Sequence, residues 1–133
     1  MFERRSFLRS LGSLLGCALF SNAAKRESKV VFTHDLPGLS LKNWSVTAVE
    51  VSYAPGESSS AHRHPGITIV YVLEGEVRSK VGDGPEKTYA AGQMFLEQPS
   101  ELHAVSGNAS TTKPARFLAL LLAEKGKPLT TPA

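Results

Sequence analysis

A chain of 133 residues has room for one domain and one modest hydrophobic core, because compact domains run to roughly 100–150 residues. With 41% hydrophobic and 20% charged residues, 11 Gly and 8 Pro, the composition is globular and rich in turns and excludes wholesale disorder. The net charge of +3 gathers near the start, where Arg4, Arg5 and Arg9 face only Glu3; beyond residue 23 the charges nearly balance, which leaves no basic stripe for a phosphate backbone and argues against a nucleic-acid partner.

The opening MFERRSFLRSLGSLLGCALFSNAA runs from a basic start through an apolar middle to small residues, the order of a cleavable export signal. Residues 1–23 are therefore set apart from the fold. Arg9 interrupts the apolar stretch, which is shorter than the roughly 20 residues of a membrane-spanning helix, so no stable membrane span is expected. Arg4-Arg5-Ser6-Phe7-Leu8-Arg9 resembles the twin-arginine export signal, which implies bacterial export in a folded state to the periplasm or beyond. Two processing routes are open: cleavage after Ala23, with Ser21 and Ala23 as the small residues, or lipid attachment at Cys17 within Leu14-Leu15-Gly16-Cys17, which resembles a lipoprotein box. Cleavage is favoured, since Leu15 fits that box poorly. Cys17 is the only cysteine, so a cleaved chain forms no disulfide.

From residue 24 to 124 the chain shows short apolar runs separated by Gly, Pro, Ser and Asp clusters, an all-β pattern. Trp44 to Tyr53 alternates through Val49, Val51 and Tyr53 and reads as a half-buried strand, ended by the turn at Pro55-Gly56. Ile67 to Leu73 is continuously apolar and β-branched, so it is expected to be buried on both faces. Glu74-Gly75 turns it into Glu76 to Val81, with both glutamates facing water. Lys87 to Tyr89, Gln93 to Leu96, His103 to Ser106 and Ala115 to Leu122 supply further strands, and residues 125–133 read as a flexible tail. So many short strands with close turns call for a barrel or jelly roll.

His62 and His64 are one residue apart. On a helix they would diverge by about 200°, but strand positions i and i+2 share a face, with Arg63 turned away. Their side chains then start roughly 6.6 Å apart, a gap two imidazoles can span to reach one ion at about 2.1 Å. A third ligand has to come from elsewhere. His103 opens an apolar strand after the Pro99-Ser100-Glu101 turn, whereas His34 sits beside Asp35 and Pro37 and reads as a solvated loop residue.

Gly56 to Gly75 resembles the first cupin motif, in which a glycine is followed by H-x-H, a glutamate and a glycine; Gly56, His62, His64 and Gly75 fall in register. Gly92 to Asn108 resembles the second motif through Gly92, His103 and Asn108, although Gln98 and Ser100 stand where the motif has a proline and a glycine. The resemblance implies a single-domain cupin double-stranded β-helix, a divalent metal ion (Fe, Zn, Mn, Ni or Cu) held by His62, His64 and His103, a small-molecule ligand or substrate, and a homodimer. The motif's glutamate falls at Thr68, which carries no charge, so three neutral imidazoles would leave the ion its full +2 and favour an anionic ligand. Glu97, six residues before His103, is a candidate to supply the carboxylate instead, but reads as solvated or as a support behind the ligands.

Tyr71 and Trp44 read as packing or dimer-contact aromatics, Arg63 as a surface residue and Asn108 as a brace for the strand after His103. Two functional readings follow. One is a metal-dependent enzyme of dioxygenase or isomerase type, with Glu97 and Tyr71 as the only candidate general bases. The other is a non-catalytic barrel that binds a small ligand and has a weak or lost metal site.

Overall fold

The computed structural model describes residues 28–133. The export signal read over residues 1–23, with its arginine pair, Cys17 and the Ala23 cleavage point, lies outside the described residues. In chain order the strands are β1 (Trp44–Tyr53), β2 (Ser58–Ser59), β3 (His62–Arg63), β4 (Ile67–Glu74), β5 (Glu76–Val81), β6 (Lys87–Ala90), β7 (Met94–Glu97), β8 (Leu102–Asn108), β9 (Ala115–Glu124) and β10 (Thr131–Pro132). Among the described residues no helix is long and apolar enough to cross a membrane. The strands form two antiparallel sheets ordered β1-β9-β4-β7 and β10-β3-β8-β5-β6, with β2 also pairing with β8. This is the expected all-β jelly-roll class.

The core lies between the sheets and is built on strand periodicity. Along β9, Ala115, Phe117, Ala119, Leu121 and Ala123 are buried while the residues between them are not. Val70 and Val72 of β4 and Val77 of β5 join Phe117 and Tyr53 in one cluster, and burying each such valine contributes about 1.5–3 kcal/mol. The expectation that β4 is buried on both faces is corrected. Thr68, Val70 and Val72 point inward, whereas Tyr71 is 36% exposed, because one face of this antiparallel sheet looks outward. That outward face is itself apolar: Tyr71 pairs with Leu118 and Met94, and Ile69 with Leu120 and Leu96. At its rim the Arg116 guanidinium lies 2.9 Å from Glu50 and 3.6 Å from Glu74, and the hydrogen bond to Glu50 holds its pKa above the ordinary value.

Two local features position the site. Gly75 has φ +70° and lies against the carbonyl of Pro114, so the β4–β5 turn has no space for a Cβ. In β8 the register against β5 shifts between Lys80 and Val81, which pair with Val105 and His103. Ala104 is thus an extra residue, a β-bulge. His103 and Ser106 are three residues apart and would face opposite ways on a regular strand; the bulge brings both into the interior, where they are buried.

Residues 125–133 differ from the loose tail expected of them. Thr131 and Pro132 pair with Arg63 and His62, and Leu129 packs against the core cluster. The proline-bearing, polar sequence hides this, because the docking uses an edge ladder that tolerates proline and a single apolar side chain.

Candidate metal centre

The three histidines named from the sequence come together. β3 pairs with β8 so that His62 faces His103 directly, and their ring centroids are 4.9 Å apart. His64, just beyond β3, stands edge-on to His62 at 4.9 Å. His34 stays outside this group, exposed and stacked on Phe32.

A fourth residue joins them from the other sheet. Glu97 is 3% exposed, and its Oε2 lies 3.0 Å from His103 Nδ1 and 3.7 Å from His64 Nε2. The reading of Glu97 as solvated is corrected. On β7 the inward positions alternate as Phe95 and Glu97, a period-2 signal that the sequence already carried. In register, Glu97 is the direct neighbour of Thr68. The carboxylate that the first motif carries at the Thr68 position therefore arrives from one strand over, a lateral move of roughly 4.8 Å.

The hydrogen bonds behind the rings determine which nitrogens are free. His62 Nδ1 donates to the carbonyl of Ser60 and His64 Nδ1 to that of Leu129, each at 2.8 Å. A carbonyl only accepts, so both Nδ1 atoms carry the proton and both Nε2 lone pairs face inward. His103 is turned the other way, with Nε2 hydrogen-bonded to Ser79 Oγ at 2.9 Å and Nδ1 toward Glu97. That Nδ1 is buried and, although close to Glu97, is not aligned for a hydrogen bond.

One ligand atom from each of His62, His64, Glu97 and His103 lies within 4.8 Å of the other three. Bonds of about 2.1 Å to one ion would place neighbouring donors about 3–3.5 Å apart, close to the contacts that Glu97 makes. A buried carboxylate without a cationic side chain and three inward ring nitrogens, one of them the orphaned His103 Nδ1, are a donor set that fits a divalent ion and could hold one. With Glu97 present, such an ion would keep one positive charge fewer than three imidazoles alone would leave it, so the expected pull toward anions is reduced.

The site opens into a cavity of about 460 Å³. Val51, Val70, Phe117, Leu121 and Leu129 form its apolar walls, and Tyr53, Ser59 and Ser106 line it as well. Tyr53 Oη lies 3.0 Å from both Ser59 Oγ and Ser106 Oγ. Neither this hydroxyl trio nor the part played by Leu129 and Thr130 was anticipated from the sequence. The parity of β1 points Tyr53 inward, but nothing in residues 129–130 announces their place. Tyr71, on the outward face, is removed as a candidate base. Arg63 and Asn108 are braces: Arg63 Nη1 donates to Ser100 O at 2.8 Å, and Asn108 Nδ2 donates to the carbonyls of Ala54 and Lys113.

Comparison with known proteins agrees with this fold. The chain is 28% identical over 86 residues to the cupin-domain-containing oxidoreductase fogC of Aspergillus ruber, a match covering 65% of this chain and 42% of the relative, so the chain spans less than half of that protein. Among solved structures it resembles the DMSP lyase DddQ of Ruegeria pomeroyi (TM-score 0.58, 19% identity, 67% of this chain and 43% of that one). It also resembles a predicted oxalate decarboxylase of Thermotoga maritima (TM-score 0.51, 26% identity, 58% and 64%). The family model described as the cupin domain matches residues 49–121; with two antiparallel sheets around an inward histidine–glutamate cluster, the chain belongs to the cupin family.

Proposed function

We propose that this cupin is an exported protein that binds one divalent metal ion through His62, His64, His103 and Glu97 and acts as a metal-dependent enzyme on a small molecule. The observation that carries the reading is the buried Glu97 carboxylate set among three inward imidazole nitrogens, since a charge so placed requires a counter-charge. Fe, Zn, Mn, Ni and Cu all suit such N/O donors. When bound, the ion supplies Lewis-acid polarisation of a substrate oxygen. The protein's own part is orientation: Ser60, Leu129 and Ser79 fix the three rings, and the apolar walls keep water from the substrate. The fungal relative's designation as an oxidoreductase supports the dioxygenase class over an isomerase.

Elemental analysis of the purified protein tests the site. We expect about one equivalent of metal in the wild type, less than a tenth of that in His62→Ala and His103→Ala, and a loss in Glu97→Gln of at least the roughly 10–100-fold in affinity that removal of an outer partner costs. Full metal content in His62→Ala, or none in the wild type, would overturn the reading.

One observation favours a second reading, a non-catalytic binding module. With Tyr71 turned outward and Glu97 occupied at the centre, no free general base lines the described cavity. Turnover that depends on added metal separates the two readings.

Export rests on residues 1–23. Intact mass of protein recovered from the periplasm or medium is expected to show cleavage after Ala23; a chain beginning at Met1 sinks this part, and a lipid-bearing Cys17 replaces cleavage with anchoring.

A further inference from the structure

The interior contains one polar group that the metal reading does not use. Thr68 is 1% exposed, faces the cavity, and its Oγ1 has no hydrogen-bond partner. Leaving a buried hydroxyl unpaired is costly, and the neighbouring hydroxyls show that this fold can satisfy such groups: Tyr53, Ser59 and Ser106 bond one another and ask nothing of a ligand. Thr68 and the metal-ligating cluster are therefore the unsatisfied end of the cavity. The rest of its lining is mainly aliphatic and aromatic, and among the described residues no Lys or Arg lines it. A phosphate, or a further carboxylate away from the metal centre, would be buried without a counter-charge. A volume of about 460 Å³ lies in the lower half of the range of roughly 300–1,000 Å³ for small-molecule sites.

From this we infer that the ligand is a compact, largely apolar molecule with a single oxygen-bearing head, neutral or singly charged. The head meets the metal centre and accepts a hydrogen bond from Thr68 Oγ1, and the body lies along Val51, Val70, Phe117, Leu121 and Leu129. The inference rests on the metal-centre reading for the head and on the cavity walls for the body. It also gives Thr68 a signature that a packing residue lacks. The hydroxyl has no partner among the protein's own groups, so Thr68→Val, which keeps the shape, should stabilise the protein and weaken ligand binding together.

The test uses metal-loaded protein titrated calorimetrically with phenylacetate, acetate and glucose 6-phosphate, with metal content measured in every sample. We expect phenylacetate to bind at least 10-fold tighter than acetate, because burying the ring adds several apolar groups, and glucose 6-phosphate not to bind. Thr68→Val is expected to keep its metal, melt higher and bind phenylacetate about 5- to 10-fold more weakly, the loss of one hydrogen bond. Acetate matching phenylacetate, tight binding of glucose 6-phosphate, or unchanged phenylacetate affinity in Thr68→Val would overturn the inference. Absence of metal from the wild type would instead sink the metal reading, and the preference for phenylacetate over acetate would still decide the inference about the walls.

Discussion

Ser100 has φ +64°, a left-handed conformation that costs a side-chain-bearing residue roughly 1–2 kcal/mol. It stands where the second cupin motif has glycine, the residue that adopts this conformation without strain. Both of its hydrogen bonds use main-chain atoms: Ser100 N donates to His64 O at 2.7 Å, and Ser100 O accepts from Arg63 at 2.8 Å. Ser100→Gly therefore relieves strain and loses no contact. After allowing for the larger unfolded-state entropy of glycine, it should stabilise the protein by about 0.5–1 kcal/mol, read as a higher urea midpoint with an unchanged slope. Thr68 and Glu97 make a related point about exchange between positions. The motif's carboxylate is absent from its place along the chain, yet present across the ladder.

At the scale of elements, β10 and the residues leading into it form part of the centre. Leu129 O and Thr130 Oγ1 lie 2.8 and 3.2 Å from His64 Nδ1, so this segment sets the ring's tautomer. Removing residues 128–133 should weaken metal binding about 10–100-fold, as loss of such outer partners does, and leave the circular dichroism of the barrel intact; competition with a chromophoric chelator checks it. Why some of this was legible and some was not follows from range. Alternation in Trp44–Tyr53 and Ala115–Leu122 is local and gave strands β1 and β9 almost to the residue, and H-x-H spacing gave two inward imidazoles. The inward turn of Glu97 is contained in the alternation of β7, but its place beside Thr68 depends on which strand lies next to β4, which a period along the chain does not contain. The Ala104 bulge is a register shift between two strands, invisible in either alone. Docking of residues 129–132 leaves no pattern, because a carbonyl and a ladder have no side-chain signature.

At the scale of the molecule, the outward face of the β1-β9-β4-β7 sheet presents Ile69, Tyr71, Leu118 and Leu120 side by side. An apolar face of this kind is a place for a partner, and we propose the homodimer that the family resemblance implies. Light scattering should give twice the chain mass for the wild type and the single mass for Leu118→Glu, with metal content unchanged; a monomeric wild type would end the proposal. The centre has a mechanical consequence as well. Glu97 belongs to one sheet, and His62 and His103 to the other, while no cysteine lies among the described residues. An ion bonded to all three would cross-link the two halves of the sandwich and close a loop from residue 62 to residue 103. It would restrict the unfolded chain much as a disulfide between sheets does, so the same donors would serve as both reaction centre and rivet.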